Sequence, residues 1–134
     1  MGKIIVGLIV IIGVAGFLLM RNNDSSMTKE GGKTETVATG DMKEFSMTSY
    51  YDEQGKWFSL KEISVNKGDR VRIKVTNTKG THDFNIDEYG VKKMTPLNEE
   101  TVVEFTADKA GEFEYYCSVP GHRQGGQFGK LIVK

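Results

Sequence analysis

Val71-Arg72-Ile73-Lys74-Val75 alternates apolar and basic side chains without a break. Successive side chains of a β-strand point to opposite faces, so this stretch reads as a strand that buries Val71, Ile73 and Val75 and leaves Arg72 and Lys74 in water. The same period recurs along the chain. Phe45 and Met47 fall on one face of 43–50, and Ile63 and Val65 alternate at the end of 60–65. Phe84 and Ile86 flank Asn85, Val103-Glu104-Phe105 repeats the pattern, and Phe113, Tyr115 and Cys117 share one face. A last strand runs over 128–133. Turn-forming stretches separate these segments at Asn66-Lys67-Gly68-Asp69, Asn77 to Gly80 and Ala107 to Gly111. Residues 87–98 read as a loop around Gly90 and Pro96. Seven or eight short strands at this spacing predict an all-β sandwich. No stretch after residue 40 carries a helical period.

The N-terminus is of another kind. Ile4 to Met20 is apolar throughout and uncharged, between Lys3 and Arg21. At ~1.5 Å per residue it reaches ~25 Å, close to the lower limit for a bilayer core. Residues 1–21 are read as a signal anchor, a single transmembrane helix. A cleaved signal peptide is the competing reading, but no small-x-small site follows Phe17, and no cysteine follows the run to take a lipid. The short N-terminal tail places the N-terminus inside and the rest of the chain outside the cytoplasmic membrane, on the periplasmic or extracellular side. Residues 22–40 are rich in Asn, Ser, Thr, Gly, Lys and Glu, and read as a flexible tether with a reach of ~25 Å. Residues 41–134 form the folded domain, long enough for one modest core.

With 18 basic and 18 acidic residues, the 134-residue chain has no net charge and no electrostatic footprint for nucleic acid. Its one cysteine permits no internal disulfide. That cysteine, Cys117, lies five residues before His122, one of only two histidines. The other is His82. Strand parity gives Cys117 the inward face of Phe113 and Tyr115, and gives His82 the parity of Phe84 and Ile86. Pro120-Gly121 bends the intervening loop so that His122 can turn back. One pole of the sandwich then collects a thiol and two imidazoles. Imidazole suits copper(II) and thiolate suits copper(I), so the mixed set serves electron transfer. Zinc is the rival metal, although no carboxylate or water-activating group stands beside the three.

Thr81-His82-Asp83-Phe84 and Tyr116-Cys117-Ser118-Val119-Pro120-Gly121-His122 resemble the two ligand segments of cupredoxins, the plastocyanin and azurin group, and Val65 to Val71 resembles the turn before their ligand strand. The resemblance covers about residues 43–134. It implies a Greek-key sandwich that binds one mononuclear copper and carries single electrons, with His82, Cys117 and His122 as ligands. Many family members have Met five residues after the loop histidine; this chain has Gln127 there, and Gly125 where some relatives carry another Met. Gln is an allowed axial ligand, as in the stellacyanin branch, and implies a lower reduction potential than Met. A three-coordinate site with Gln127 turned away is the alternative. The family also implies a bond from Asp83 to Ser118 that ties the ligand segments together.

The resemblance makes the edge of His122, with Pro120 and Gly121 around it, the surface for electron exchange, and Tyr116 a second route through Cys117. Trp57 and Phe58 read as core or pole packing, Met42, Met47 and Met94 as core, Lys92-Lys93 as a solvated turn. The leading expectation is a membrane-tethered electron carrier with transient redox protein partners at the membrane, no small-molecule substrate, and no catalysis of its own, because protein fills every copper position. A copper-delivery protein and an accessory docking domain of a membrane redox complex are the alternatives.

Overall fold

The computed structural model describes residues 40–134. The signal anchor expected at 1–21 and the tether expected at 22–40, apart from Gly40, lie outside the described residues. Among the described residues nine strands form two sheets: β1 (Met42–Asp52), β2 (Gly55–Phe58), β3 (Glu62–Val65), β4 (Arg70–Asn77), β5 (His82–Ile86), β6 (Val91–Thr95), β7 (Glu100–Thr106), β8 (Gly111–Tyr116) and β9 (Phe128–Val133). The first sheet has the order β2-β1-β4-β7, the second β3-β9-β8-β5-β6. β1 runs parallel to β4 and β3 parallel to β9; the other pairings are antiparallel. A single 3-10 turn at Asp87–Tyr89 joins β5 to β6.

β4 shows how the alternation is used. Val71, Ile73 and Val75 are completely buried. Outside, Arg72 stands opposite Glu44 of β1 and Glu104 of β7. Its Nε lies 2.5 Å from Glu104, and Lys74 Nζ lies 2.7 Å from Glu44. Exposed pairs of this kind add about 0–1 kcal/mol each. Their larger effect is on register, because a one-residue slip would turn the apolar row to water.

The core joins both sheets. Phe58, Phe84 and Tyr115 meet at ring-centroid distances of 5.4–5.9 Å. The Tyr115 hydroxyl donates to Leu60 O at 2.6 Å, which satisfies the one polar atom of that buried ring. Its ring lies directly over Gly129, where a Cβ would overlap it.

The strand count exceeds the expected seven or eight because two edge strands carry no period-two signal. β2 is four residues long and turns only Phe58 fully inward. It exists because Asp52 Oδ1 accepts the N–H groups of Gln54 and Gly55 at 2.9 and 3.2 Å and closes a hairpin onto β1. β6 occupies much of the expected 87–98 loop. Its Lys92, Lys93 and Met94 all face water, so Lys92-Lys93 belongs to a strand and not to a turn. Charged side chains on an edge strand discourage pairing with other chains. Of the three methionines expected in the core, Met47 is buried while Met42 and Met94 are exposed.

Candidate metal centre

The start of β5 and the end of β8 lie at the same pole because these strands are antiparallel neighbours. His82 opens β5. Cys117 follows directly on β8, and the 117–127 loop returns to β9. The backbone closes the loop at its base: Cys117 N–H donates to Gln127 O at 3.0 Å, and Gln127 N–H donates to His122 O at 3.0 Å. Within it, His122 N–H donates to Val119 O at 2.9 Å, the turn that folds the imidazole back.

Four side-chain atoms converge there. His82 Nδ1 lies 3.2 Å from His122 Nδ1, Cys117 Sγ lies 3.6 Å from it, and Gln127 Oε1 lies 3.2 Å from it. Ligand atoms of His82, Cys117 and His122 all fall within 4.8 Å of one another. His82, Cys117 and Gln127 are fully buried, and His122 is half-buried.

The donor set suits a cation. His82 Nε2 lies 2.7 Å from Lys79 O, which can only accept, so Nε2 carries the proton and Nδ1 presents a lone pair. Gln127 Nε2 donates away from the site, to Ser49 Oγ at 2.8 Å and Trp57 O at 3.3 Å, which leaves Oε1 facing inward. Lone pairs therefore outnumber protons at the centre of the cluster. Burial pushes the Cys117 thiol up to about 11, while the backbone N–H groups of Asp83 and Val119 pull the other way. Burial, and then the neighbouring His82 ring, hold His122 below its ordinary value. An imidazole at His122 that resists protonation and a thiol that gives up its proton on binding are the protonation states a metal requires.

Asp83 ties the cluster's two segments together. Its Oδ1 accepts Ser118 N–H at 2.6 Å, and its Oδ2 accepts the Ser118 hydroxyl. Asn85 Nδ2 donates to Asp83 Oδ1 at 2.8 Å and to Tyr116 O at 3.2 Å. The segment after His82 is thus bound to the segment after Cys117. Tyr116 itself lies outside the cluster, with its hydroxyl donating to Asp87 at 2.8 Å and the Arg123 guanidinium 4.0 Å from its ring centroid. Pro120 and Gly121 are exposed beside half-buried His122.

The sequence reading missed several supports, Asn85 among them. Lys79 offers only a backbone oxygen, which no side-chain pattern reveals. Asn77, fully buried, shapes the turn that presents it: Asn77 Oδ1 accepts Lys79 N–H, and Nδ2 donates to Gly80 O and Thr95 O. The Thr95 hydroxyl donates to His82 O at 2.9 Å. Ser49 did leave a trace, since it has the inward parity of Phe45 and Met47 and is polar.

A family profile described as "Cupredoxin-like domain" matches residues 9–133, and the chain belongs to that family. Its sequence is 39% identical over 69 residues to the nitrous-oxide reductase of Cupriavidus necator, a match covering 48% of this chain and 11% of that enzyme. It is 33% identical over 95 residues to the nitrous-oxide reductase of Ralstonia nicotianae, covering 68% of this chain and 14% of that enzyme. The chain thus spans a small part of the enzymes it matches. Auracyanin from Roseiflexus castenholzii superposes with a TM-score of 0.57 at 20% identity, covering 68% of this chain and 96% of auracyanin. The copper nitrite reductase of Nitrosomonas europaea superposes with a TM-score of 0.60 at 22% identity, covering 69% of this chain and 41% of that one. These superpositions show the shared fold. Within it, the His82, Cys117 and His122 group is suited to one copper ion.

Proposed function

We propose that the protein is a membrane-tethered carrier of single electrons between redox proteins outside the cytoplasmic membrane. The observation that carries this reading is the convergence of His82 Nδ1, Cys117 Sγ, His122 Nδ1 and Gln127 Oε1, three of them on fully buried side chains. Bound there, copper supplies a one-electron couple between its two oxidation states. His82, Cys117 and His122 would hold it, and Gln127 would offer its amide oxygen as a fourth, weaker donor. Asp83, Ser118 and Asn85 keep the ligand segments in one geometry for both oxidation states, and a site that need not rearrange exchanges electrons with little reorganisation. Protein atoms in all four positions leave no place for a substrate, so the chain is read as a carrier and not as a catalyst. Half-buried His122, with exposed Pro120 and Gly121, supplies the contact for a redox partner, and small transient interfaces suffice for such encounters. The apolar run from Ile4 to Met20 supports the membrane anchor.

An absorption spectrum of the copper-loaded full chain, followed by voltammetry, tests the proposal. A strong visible thiolate-to-copper band with a reversible couple is expected. A colourless protein after copper loading under oxidising conditions would sink it. The matches to domain-sized stretches of large enzymes favour one other reading, a module docked on a membrane enzyme. That reading predicts partner binding that survives removal of the copper.

A further inference from the structure

We infer that Ser49 is a positioning residue for the fourth donor: its hydroxyl, together with the Trp57 carbonyl, lets the hairpin of β1 and β2 anchor the amide nitrogen of Gln127, so that Oε1 turns toward the metal. The inference rests on the reading of Gln127 as the fourth donor. The two ends of a carboxamide have nearly the same shape and opposite chemistry. Oxygen offers lone pairs to a cation, whereas the NH2 group only donates hydrogen bonds. The ligand loop does not choose between them, because a neutral His122 Nδ1 can accept a bond from the NH2 group as readily as it can share a proton with Oε1.

The choice comes from the opposite sheet. Ser49 Oγ lies 2.8 Å from Gln127 Nε2, and both residues are completely buried. A hydroxyl can donate as well as accept, so Ser49 gives the closer anchor and Trp57 O, 3.3 Å from Nε2 and able only to accept, gives the direction. Reversing the amide would set Oε1 against that carbonyl and leave Nε2 facing the cation. The hairpin is itself seated on the loop. Lys56 N–H donates to Gly125 O at 3.4 Å, and from the segment between β2 and β3 Lys61 Nζ donates to Gly126 O at 2.7 Å and Phe128 O at 3.3 Å. The carbonyls on either side of Gln127 are thus held by Lys61, and its side chain by Ser49. An oxygen donor favours copper(II) over copper(I). By keeping that oxygen in place, Ser49 lowers the reduction potential without touching the metal.

Reduction potentials of the copper-loaded full chain test this in wild type, Ser49→Ala, Ser49→Thr, Gln127→Met and the double variant Ser49→Ala/Gln127→Met. Gln127→Met is expected to raise the potential. Ser49→Ala should raise it part of the way, Ser49→Thr should restore it, and Ser49→Ala should change nothing once Gln127 is Met. An unchanged potential in Gln127→Met overturns the axial reading and the inference with it. A raised potential in Gln127→Met with none in Ser49→Ala overturns the inference alone. So does an equal rise on adding Ser49→Ala in both backgrounds, since Ser49 would then act by a route other than Gln127. Should Ser49→Ala fail to fold, wild-type chain labelled with 15N in the Gln side chains decides. Paramagnetic resonance of its copper(II) form should show no directly bonded amide nitrogen, and finding one overturns the inference.

Discussion

Cys117 is a neutral thiol in the metal-free domain, and His122 resists protonation; together they bound the pH range in which that domain is most stable. The folded thiol titrates at about 11, against an ordinary 9.0. Between those values the unfolded chain binds fewer protons than the folded one, so stability falls as pH rises above about 9. His122 acts at the other limit. Its folded pKa lies below the ordinary 6.5. There the unfolded chain binds more protons, and stability is lost as pH falls below about 6.5. Urea midpoints of the metal-free chain should accordingly form a plateau between these limits. Cys117→Ser should remove the alkaline fall up to about pH 10, where buried Tyr115, also raised by desolvation, takes over. An alkaline limb unchanged in Cys117→Ser would assign the titration to another group.

Among the elements, the short β1–β2 hairpin contributes more than its length suggests. It supplies Phe58 to the aromatic core, and Ser49 and the Trp57 carbonyl to Gln127. Phe58→Ala should therefore cost about 3–5 kcal/mol in denaturant unfolding, the price of a cavity where both sheets meet. A loss under 1 kcal/mol would mean that β2 is only an ornament on the edge of the first sheet. The hairpin's second strand, β2, was the least legible in the sequence. Its pairing comes from an Asp52 side chain capping a turn, and a single inward residue in four makes no period. β6 was hidden for a similar reason, with Lys92, Lys93 and Met94 all in water. The long alternating strands were legible because each has one face on the core, and burial enforces a period of two.

At the scale of the whole molecule, the pole that gathers the His82, Cys117, His122 and Gln127 side chains is made by non-local pairing. His82 belongs to β5, Cys117 directly follows β8, and Gln127 directly precedes β9; Ser49 reaches them from the other sheet. Metal bound only by the folded arrangement stabilises it by mass action, by about 2.7 kcal/mol at free metal one hundred times the dissociation constant. The denaturant midpoint of the full chain should rise when copper is added, and Cys117→Ser should lose most of that increment. An equal increment in Cys117→Ser would place the copper elsewhere.

Strand period, turn chemistry and the Cys117-to-His122 spacing are local properties, and the sequence determined them unaided. They led to a β-sandwich with His82, Cys117 and His122 at one pole. The direction in which Gln127 turns its amide was decided only by the tertiary structure. So were the carbonyl that selects the His82 tautomer and the parallel pairing of β1 with β4. Each depends on a hydrogen-bond partner supplied by backbone atoms or by a distant strand. A backbone carbonyl is the same at every position of a sequence, and only the fold determines which one faces the site.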